Sequence, residues 1–279
     1  MKVESRPGTP QGSWRRVEWQ DDALGRRIRQ TTWSWLVQSN LWVVTEDLKF
    51  VSDPLLFGRH VVDLNASNNV AVRTYVWGLD LSERMDGAGG VGGLLWVTLH
   101  TASGPAAGTH FAAYDGNGNV VALSAATDGS PTACYEYGPF GELIRISGPA
   151  AALNTFRFST KRSDSTTDLV LYDYRAYNPV LGRWLSRDPI EEVGGRNLYA
   201  LVVNVPTSRA DVLGLGCRVT FECQLYSETT QGKCDKHCEY VCVEKDRTTV
   251  KGVSPATCDD LPQQKITITE GITAWGSLL

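Results

Sequence analysis

Residues 114–145 read YDGNGNVVALSAATDGSPTACYEYGPFGELIR, and this stretch decides the fold. Three dipeptides in it supply the positive-φ positions that tight turns need: Asp115-Gly116, Asn117-Gly118 and Asp128-Gly129. Between these turns, residues 120–125 and 133–137 are apolar and aromatic enough to pair as a β-hairpin. Helical periodicity is hard to find anywhere in the region. The stretch therefore predicts β structure.

An internal repeat passes through the same stretch. Residues 115–120 (DGNGNV) and 137–144 (YGPFGELI) share an aromatic or acidic start, a glycine, a polar residue and an apolar end, and residues 22–28 (DALGRRI) form a more distant copy. Gly118 and Gly141 lie 23 residues apart, a spacing typical of solenoids and arrays. Glycine suits these positions because the chain reverses sharply there and a Cβ would clash. An ordinary β sandwich with unrelated Asp/Gly turns is the alternative.

Three motifs further along the chain point to a family. They are residues 169–190 (LVLYDYRAYNPVLGRWLSRDPI), 194–200 (GGRNLYA) and 206–215 (PTSRADVLGL). Together they closely resemble the Rhs repeat-associated core domain, with its Tyr-Arg-x-Tyr-x-Pro, Gly-Arg-Trp-x-Ser-x-Asp-Pro and Asn-Leu-Tyr pattern. Residues 75–81 (YVWGLDL) and 114–120 also look like YD-repeat sequence. The resemblance covers most of residues 14–215.

The resemblance implies a mainly β fold: a spiral of antiparallel β-hairpins forming a partial Rhs/YD shell, a core plug module, and a small Cys-rich tail. Such a spiral lets each strand pair with its neighbours. The expected divisions are a disordered N-terminus at 1–13, YD/Rhs repeat hairpins at 14–150, the Rhs repeat-associated core domain at 151–215, and a variable Cys-rich segment at 216–279.

The family's role is structural, so we expect a shell and core fragment of a bacterial polymorphic toxin or secreted surface protein that encloses or presents a C-terminal effector segment. The chain has too few repeats to enclose anything, and its first strands would expose an unpaired edge. We therefore expect missing upstream repeats as a partner, besides its own C-terminal segment, and an internal start at Met1. An immunity protein or secretion machinery are the further partners that the family suggests.

Relatives contain a core that acts as an intramolecular aspartic protease, and this is the alternative from the enzyme class. By position, Asp188 and Asp211 match the family's two aspartates, and the cut would fall between Leu215 and Gly216. Two carboxyl groups held close together share one proton, so one can activate water while the other protonates the leaving group. The family's proline after the second aspartate is Val212 here, which removes the bias of Asp211 towards extended conformations. The alternative role for both aspartates is in turns or caps of an inactive core.

Composition changes at Gly216, after which six of the seven cysteines follow: Cys217, Cys223, Cys234, Cys238, Cys242 and Cys258. A disulfide-stapled module, free thiols and a metal site are all open interpretations. On a helix, Cys234, Cys238 and Cys242 would form one stripe that His237 could join as a zinc ligand. The tail could then act as a small toxin or ligand. Residues 264–270 alternate well enough to form one strand.

Composition and charge exclude several other classes. The formal net charge of −4 argues against nucleic acid as the main partner, because phosphate binding usually needs a basic face, so no nucleic acid is expected as a partner of residues 1–215. No apolar run approaches the roughly 18 residues of a membrane span, and the N-terminus lacks the apolar region of a signal peptide. Full-length relatives are expected to be secreted or at the cell surface, whereas this chain carries no localisation signal. No cofactor is expected.

Overall fold

The computed structural model describes residues 1–5, 8–56, 59–191, 197–204, 206, 211 and 214, together with the backbone of strands lying at 219–231, 235–247 and 266–269. The described part of the chain is mainly antiparallel β, as the sequence predicts. Its helical elements are short 3-10 turns such as Gln11–Ser13 and Phe158–Thr160. No helix within it is long and apolar enough to cross a membrane.

Eleven strands in the described residues form one sheet, in which every strand pairs with its neighbours along the chain. Their bounds are β1 Lys2–Glu4, β2 Arg15–Asp21, β3 Arg27–Leu36, β4 Leu41–Ser52, β5 His60–Asn65, β6 Ala71–Trp77, β7 Leu94–Leu99, β8 Gly108–Tyr114, β9 Val120–Ala125, β10 Pro131–Tyr137 and β11 Leu143–Ser147. The β9–β10 hairpin confirms the pairing predicted from residues 114–145. Because each pairing is local, the sheet assembles from hairpins.

The expectation of a disordered segment at residues 1–13 is wrong for its described part. Lys2–Glu4 is strand β1, and Val3 lies opposite Val17 of β2. The ammonium group of Met1 also donates to the carbonyl oxygen of Trp19 at 3.0 Å. The sequence did not predict this strand, because its residues are mostly polar. An edge strand needs few apolar side chains when the neighbouring strand supplies its hydrogen bonds.

Two smaller sheets follow the large one among the described residues. The first contains β12 Arg162–Asp164, β13 Leu169–Leu171, β14 Ala176–Asn178 and β15 Arg183–Trp184, and we call it the core sheet. The second contains β16 Val219–Gln231, β17 Asp235–Arg247 and β18 Ile266–Thr269. β18 confirms the strand predicted within residues 264–270. The helical arrangement considered for the cysteines is wrong at residues 238 and 242, because both lie in β17, where Cys242 is in register with Cys223 of β16.

A five-residue turn recurs within the described residues and explains the internal repeat. In each copy the first N–H donates to the carbonyl of the fifth residue, and the fourth N–H donates to the carbonyl of the first, at 2.8–3.1 Å. The fourth residue always has positive φ. The copies begin at Asp22, Asp80, Asp115, Gly138 and Arg157. The sequence revealed three of them. Those at Asp80 and Arg157 were missed because Glu83 and Thr160, not glycine, hold the positive-φ position.

The large sheet packs against the core sheet through apolar residues from both. Val17 and Trp19 of β2 cluster with Leu169 and Leu171 of β13. A second cluster, which includes Phe156, lies along β6–β10 on the large sheet. A third surrounds Trp184 of β15, which is fully buried. The N-terminal strands thus contact residues about 150 positions later in the chain, and the core sheet lies against the large sheet.

Candidate functional site

Arg175 lies at the turn between β13 and β14 and is at the centre of a buried charged cluster. The turn closes with a hydrogen bond from the N–H of Tyr172 to the carbonyl of Arg175 at 3.0 Å. The Arg175 side chain is only 1% exposed. Its guanidinium lies over the ring of Trp184, with the central carbon 4.2 Å from the ring centroid, so the aromatic face stabilises part of the buried charge.

Both aspartates predicted as site residues contact this guanidinium. Nη2 of Arg175 lies 2.9 Å from Oδ2 of Asp188 and 3.6 Å from Oδ2 of Asp211. Both carboxylates are buried, at 6% and 5% side-chain exposure. Residues 188 and 211 come from separate segments, and the structure therefore brings together the two positions that the sequence paired. We call Arg175, Asp188 and Asp211 the Arg175 cluster.

The cluster also fixes Gly214, the last described residue before the predicted cleavage bond. Oδ1 of Asp211 accepts the N–H of Gly214 at 2.8 Å, and Nε of Arg175 donates to the Gly214 carbonyl oxygen. Gly214 has a φ of +79°, and a Cβ there would lie 3.1 Å from Cβ of Tyr172. Glycine is required at this position for both reasons. Residues 212, 213, 215 and 216 lie outside the described residues, and with them the Leu215–Gly216 bond.

The electrostatics of the cluster differ from those of two carboxyl groups alone. Burial lowers the pKa of Arg175, while the charges of Asp211 and Asp188 act in the opposite direction. The Arg175 guanidinium places a positive charge beside both carboxylates, with its Nη2 at 2.9 Å from Asp188 and 3.6 Å from Asp211. The proton-sharing pair considered from the sequence omitted this cation. The arrangement can hold the end of the core in place and polarise a carbonyl group beside it.

Arg175 is the functional residue that sequence reasoning missed. It is the arginine of the Tyr-Arg-x-Tyr motif at residues 174–177, which was used to recognise the core and given no role. A buried cation is expected wherever two aspartates converge in an apolar surrounding, and this arginine is the one placed among aromatic motif residues. The motif contained this arginine, but only the fold shows that its side chain contacts the two aspartates.

The side chains of the weak metal candidates lie outside the described part of the chain. Those residues contain no group of three or more His, Cys, Asp or Glu side chains arranged to hold a metal ion. His237, Cys238 and Cys242 lie in β17, of which only the backbone is described, and Cys234 lies outside the described residues. The disulfide, thiol and metal interpretations of the tail stay predictions.

A second buried charged network joins the large sheet to the core sheet. Arg162 of β12 donates through two nitrogens to the carboxylate of Asp63 in β5, at 3.1 and 2.9 Å. Arg73 and the hydroxyl of Tyr75, both in β6, donate to the same carboxylate at 2.9 and 2.8 Å. Burial alone raises the pKa of Asp63, but the charges of Arg162 and Arg73 outweigh it and bring the pKa to about 2. Asp63 is therefore an ionised anchor between the two sheets.

The chain matches a known family over part of its length. The Teneurin YD-shell family matches residues 102–202, which span β8–β15 and include Arg175 and Asp188. The toxin subunit YenC2 of Yersinia entomophaga is 37% identical over 101 residues, which are 36% of this chain and 10% of YenC2. The Escherichia coli K12 protein YibJ is 32% identical over 111 residues, 40% of this chain and 47% of YibJ. The chain thus covers less than half of either relative.

Solved structures with a similar fold cover more of the chain. The crystal structure of TcdB2-TccC3-TEV superposes with a TM-score of 0.56 at 21% identity, covering 77% of this chain and 10% of that one. The Photorhabdus luminescens Tc holotoxin pore with the mutation TccC3-D651A gives a TM-score of 0.53 at 20% identity, covering 76% and 9%. At these identities the likeness concerns the fold.

A long meander of hairpins with recurring five-residue turns, packed on a small core sheet, defines a YD-shell protein. The motifs at residues 169–215, the YD-shell match at residues 102–202 and the toxin relatives agree on the family: this part of the chain is Rhs/YD-repeat sequence.

Proposed function

We propose that this chain is a shell and core segment of a longer Rhs-type toxin, and that its role is to build part of the wall that encloses or presents a C-terminal effector segment. The observation that carries the proposal is the continuous eleven-stranded meander anchored to the core sheet through Asp63. A sheet stiffened by buried ion pairs suits a container more than a catalyst, since these side chains are already engaged with each other. We propose a division between residues 150 and 151, which lies in the segment that connects β11 to β12.

The proposed partners are upstream YD repeats that add to the β1 edge. β1 is the first strand of the large sheet, and among the described residues it pairs with β2 alone, so its other edge is open to a further strand. The relatives include toxin subunits, and one similar structure is that of TcdB2-TccC3, so other toxin subunits are proposed partners as well. Export machinery and an immunity protein stay predictions of the family resemblance.

The DNA upstream of the Met1 codon provides the test of this proposal. We expect it to encode further YD repeats, and the polypeptide made from it to form a one-to-one complex with this chain in native mass spectrometry. Shortening that polypeptide by its last hairpin should abolish the complex, because this hairpin would contact β1. An upstream product that lacks YD repeats, or that fails to bind, would count against a shared wall.

Self-cleavage at Leu215–Gly216 is the second proposal, and the Arg175 cluster favours it. Asp188 and Asp211 meet beside Gly214, one residue before the bond. In the proposed reaction, one carboxylate takes a proton from water as the water oxygen bonds to the Leu215 carbonyl carbon. The carboxyl group so formed then gives that proton to the amide nitrogen of Gly216 as the C–N bond breaks, which regenerates the carboxylate. Arg175 would polarise the backbone near this carbonyl and is a positioning residue in this scheme.

Intact-mass measurement of the purified chain tests the second proposal. Cleavage predicts two products that separate after residue 215. Asp211→Asn should abolish them, and the control Asp128→Asn, in an exposed turn, should leave them unchanged. A single uncleaved mass for the wild-type chain after long incubation would leave the Arg175 cluster with a structural role only.

A further inference from the structure

A basic cleft opens where the large sheet meets the core sheet. Five cationic side chains line it, together with a single carboxylate: Arg26, Arg27, Arg59, Lys161, Arg162 and Asp173. The cavity volume is about 30 Å³, and a water molecule needs about 10–15 Å³. The cleft therefore has room for a group of a few non-hydrogen atoms.

Three of these cations already have hydrogen-bond or ion-pair partners. Arg162 donates to Asp63, and Arg26 pairs with Asp22 at 2.7 Å. Nζ of Lys161 donates to the Gly89 carbonyl oxygen at 3.0 Å and lies 3.4 Å from Asp173. Of the carboxylates that these three cations contact, Asp63 and Asp22 are not among the residues that line the cleft, and Asp173 is.

Arg59 and Arg27 have N–H groups that lack a partner. The Arg59 side chain is 3% exposed, and only its Nη2 contacts carboxylates, those of Asp80 at 3.4 Å and Asp86 at 3.2 Å. Its Nε and Nη1 are buried without a hydrogen bond, as is Nε of Arg27, which lies 3.9 Å from Asp21. A buried donor without a hydrogen-bond partner destabilises the folded state, and an added acceptor would relieve this.

We propose that this cleft binds a small tetrahedral oxyanion of the phosphate or sulfate type. Unused guanidinium N–H groups beside a small cavity suit an acceptor with several oxygens, because planar guanidinium groups bind phosphate through paired hydrogen bonds. The anion would link β3 and the start of β5 to β12, adding a ligand-dependent contact between the two sheets.

The test compares thermal unfolding and calorimetric titration of the full chain with inorganic phosphate, sulfate and chloride at constant ionic strength. We expect a saturable rise in Tm with phosphate and sulfate in the millimolar range or below, since a ligand that binds only the folded state stabilises it by mass action. Arg59→Lys keeps the charge facing Asp80 and Asp86 but removes the paired N–H groups. It should weaken binding about tenfold or more.

Two further variants keep the result decisive. Arg27→Gln should weaken binding as Arg59→Lys does, and Arg145→Gln, at a side chain 70% exposed, should bind as the wild type does. General salt stabilisation rises without saturation and is the same in every variant. Such a response, or the absence of any binding heat in the wild type, would mean that only water fills the cleft and would overturn the proposal. The shell proposal is untouched by that outcome, because it rests on the sheets.

Discussion

At the scale of single residues, two separate factors favour glycine at the positive-φ position of the five-residue turn: the backbone conformation and the space available for a Cβ. Gly141 has a φ of +83°, and a Cβ there would lie 2.6 Å from the ring of Phe158. Gly129 also has positive φ, at +74°, but nothing lies within 4 Å of the added atom. An alanine at Gly129 would therefore meet backbone strain alone, whereas an alanine at Gly141 would meet backbone strain and a steric clash.

Gly141→Ala is expected to destabilise the chain by about 2–4 kcal/mol, from left-handed strain of about 1–2 kcal/mol and displacement of a buried ring. Gly129→Ala should cost only the strain, about 1–2 kcal/mol. Urea unfolding of both variants measures the difference. Equal losses would mean that the Phe158 ring moves aside freely.

Glu83 occupies the same turn position in the copy that begins at Asp80, with a φ of +61°. Glu83→Gly should stabilise the chain by about 0.5–1 kcal/mol, because relief of left-handed strain exceeds the added entropy of the unfolded chain. Glu136→Gly, in strand β10, provides the control and should destabilise. The urea concentration at the midpoint of unfolding measures the stability of both variants. A lower midpoint for Glu83→Gly than for the wild type would contradict the turn assignment.

At the scale of elements, the sequence predicts local structure well and non-local contacts poorly. Asp/Gly pairs mark turns because the conformation they need is set within a few residues, so the β9–β10 hairpin was predictable. The partner of Asp63 is Arg162, 99 positions later in the chain. A local sequence pattern cannot predict a contact over such a distance. The Asp188–Asp211 pair was predictable only through a family resemblance, and Arg175 between them was not.

Asp63→Asn is expected to destabilise the chain by about 3–5 kcal/mol, because it leaves the buried guanidinium of Arg162 without its carboxylate and that of Arg73 with Glu46 alone. The matched control is Glu136→Gln, which removes an exposed partner of Arg145 and should change stability by less than about 0.5 kcal/mol. Chemical denaturation gives both values. A small loss at Asp63 would mean that water replaces the carboxylate.

His60, beside this network, should make stability depend on pH. Burial, and then the charge of Arg162, lower the pKa of His60 from 6.5 to about 3. Between these values the unfolded chain binds a proton that the folded chain does not, so stability falls as the pH drops from about 6.5 towards 3, by up to about 1.4 kcal/mol per pH unit. Asp63, whose pKa is depressed from 3.8 to about 2, adds a further loss below pH 4.

Urea titrations at pH 4 to 7 measure this dependence. His60→Gln should flatten the slope between pH 6 and 4, whereas His100→Gln, at an exposed position, should keep it. A wild-type slope that persists in His60→Gln would assign the effect to other groups.

At the scale of the whole molecule, the large sheet and the core sheet are tied by contacts of both kinds, apolar at Val17 and Leu169 and ionic at Asp63 and Arg162. Neither sheet buries its inner face without the other, and elements that share a core unfold together. Native-state hydrogen exchange should therefore give peptides of β6 and of β13 the same opening free energy. Val17→Ala, at a fully buried interface residue, should lower both values together, while Val51→Ala, at a side chain that is 43% exposed, should leave both nearly unchanged. If β13 opened at a lower free energy while β6 stayed protected, the core sheet would unfold as a separate unit.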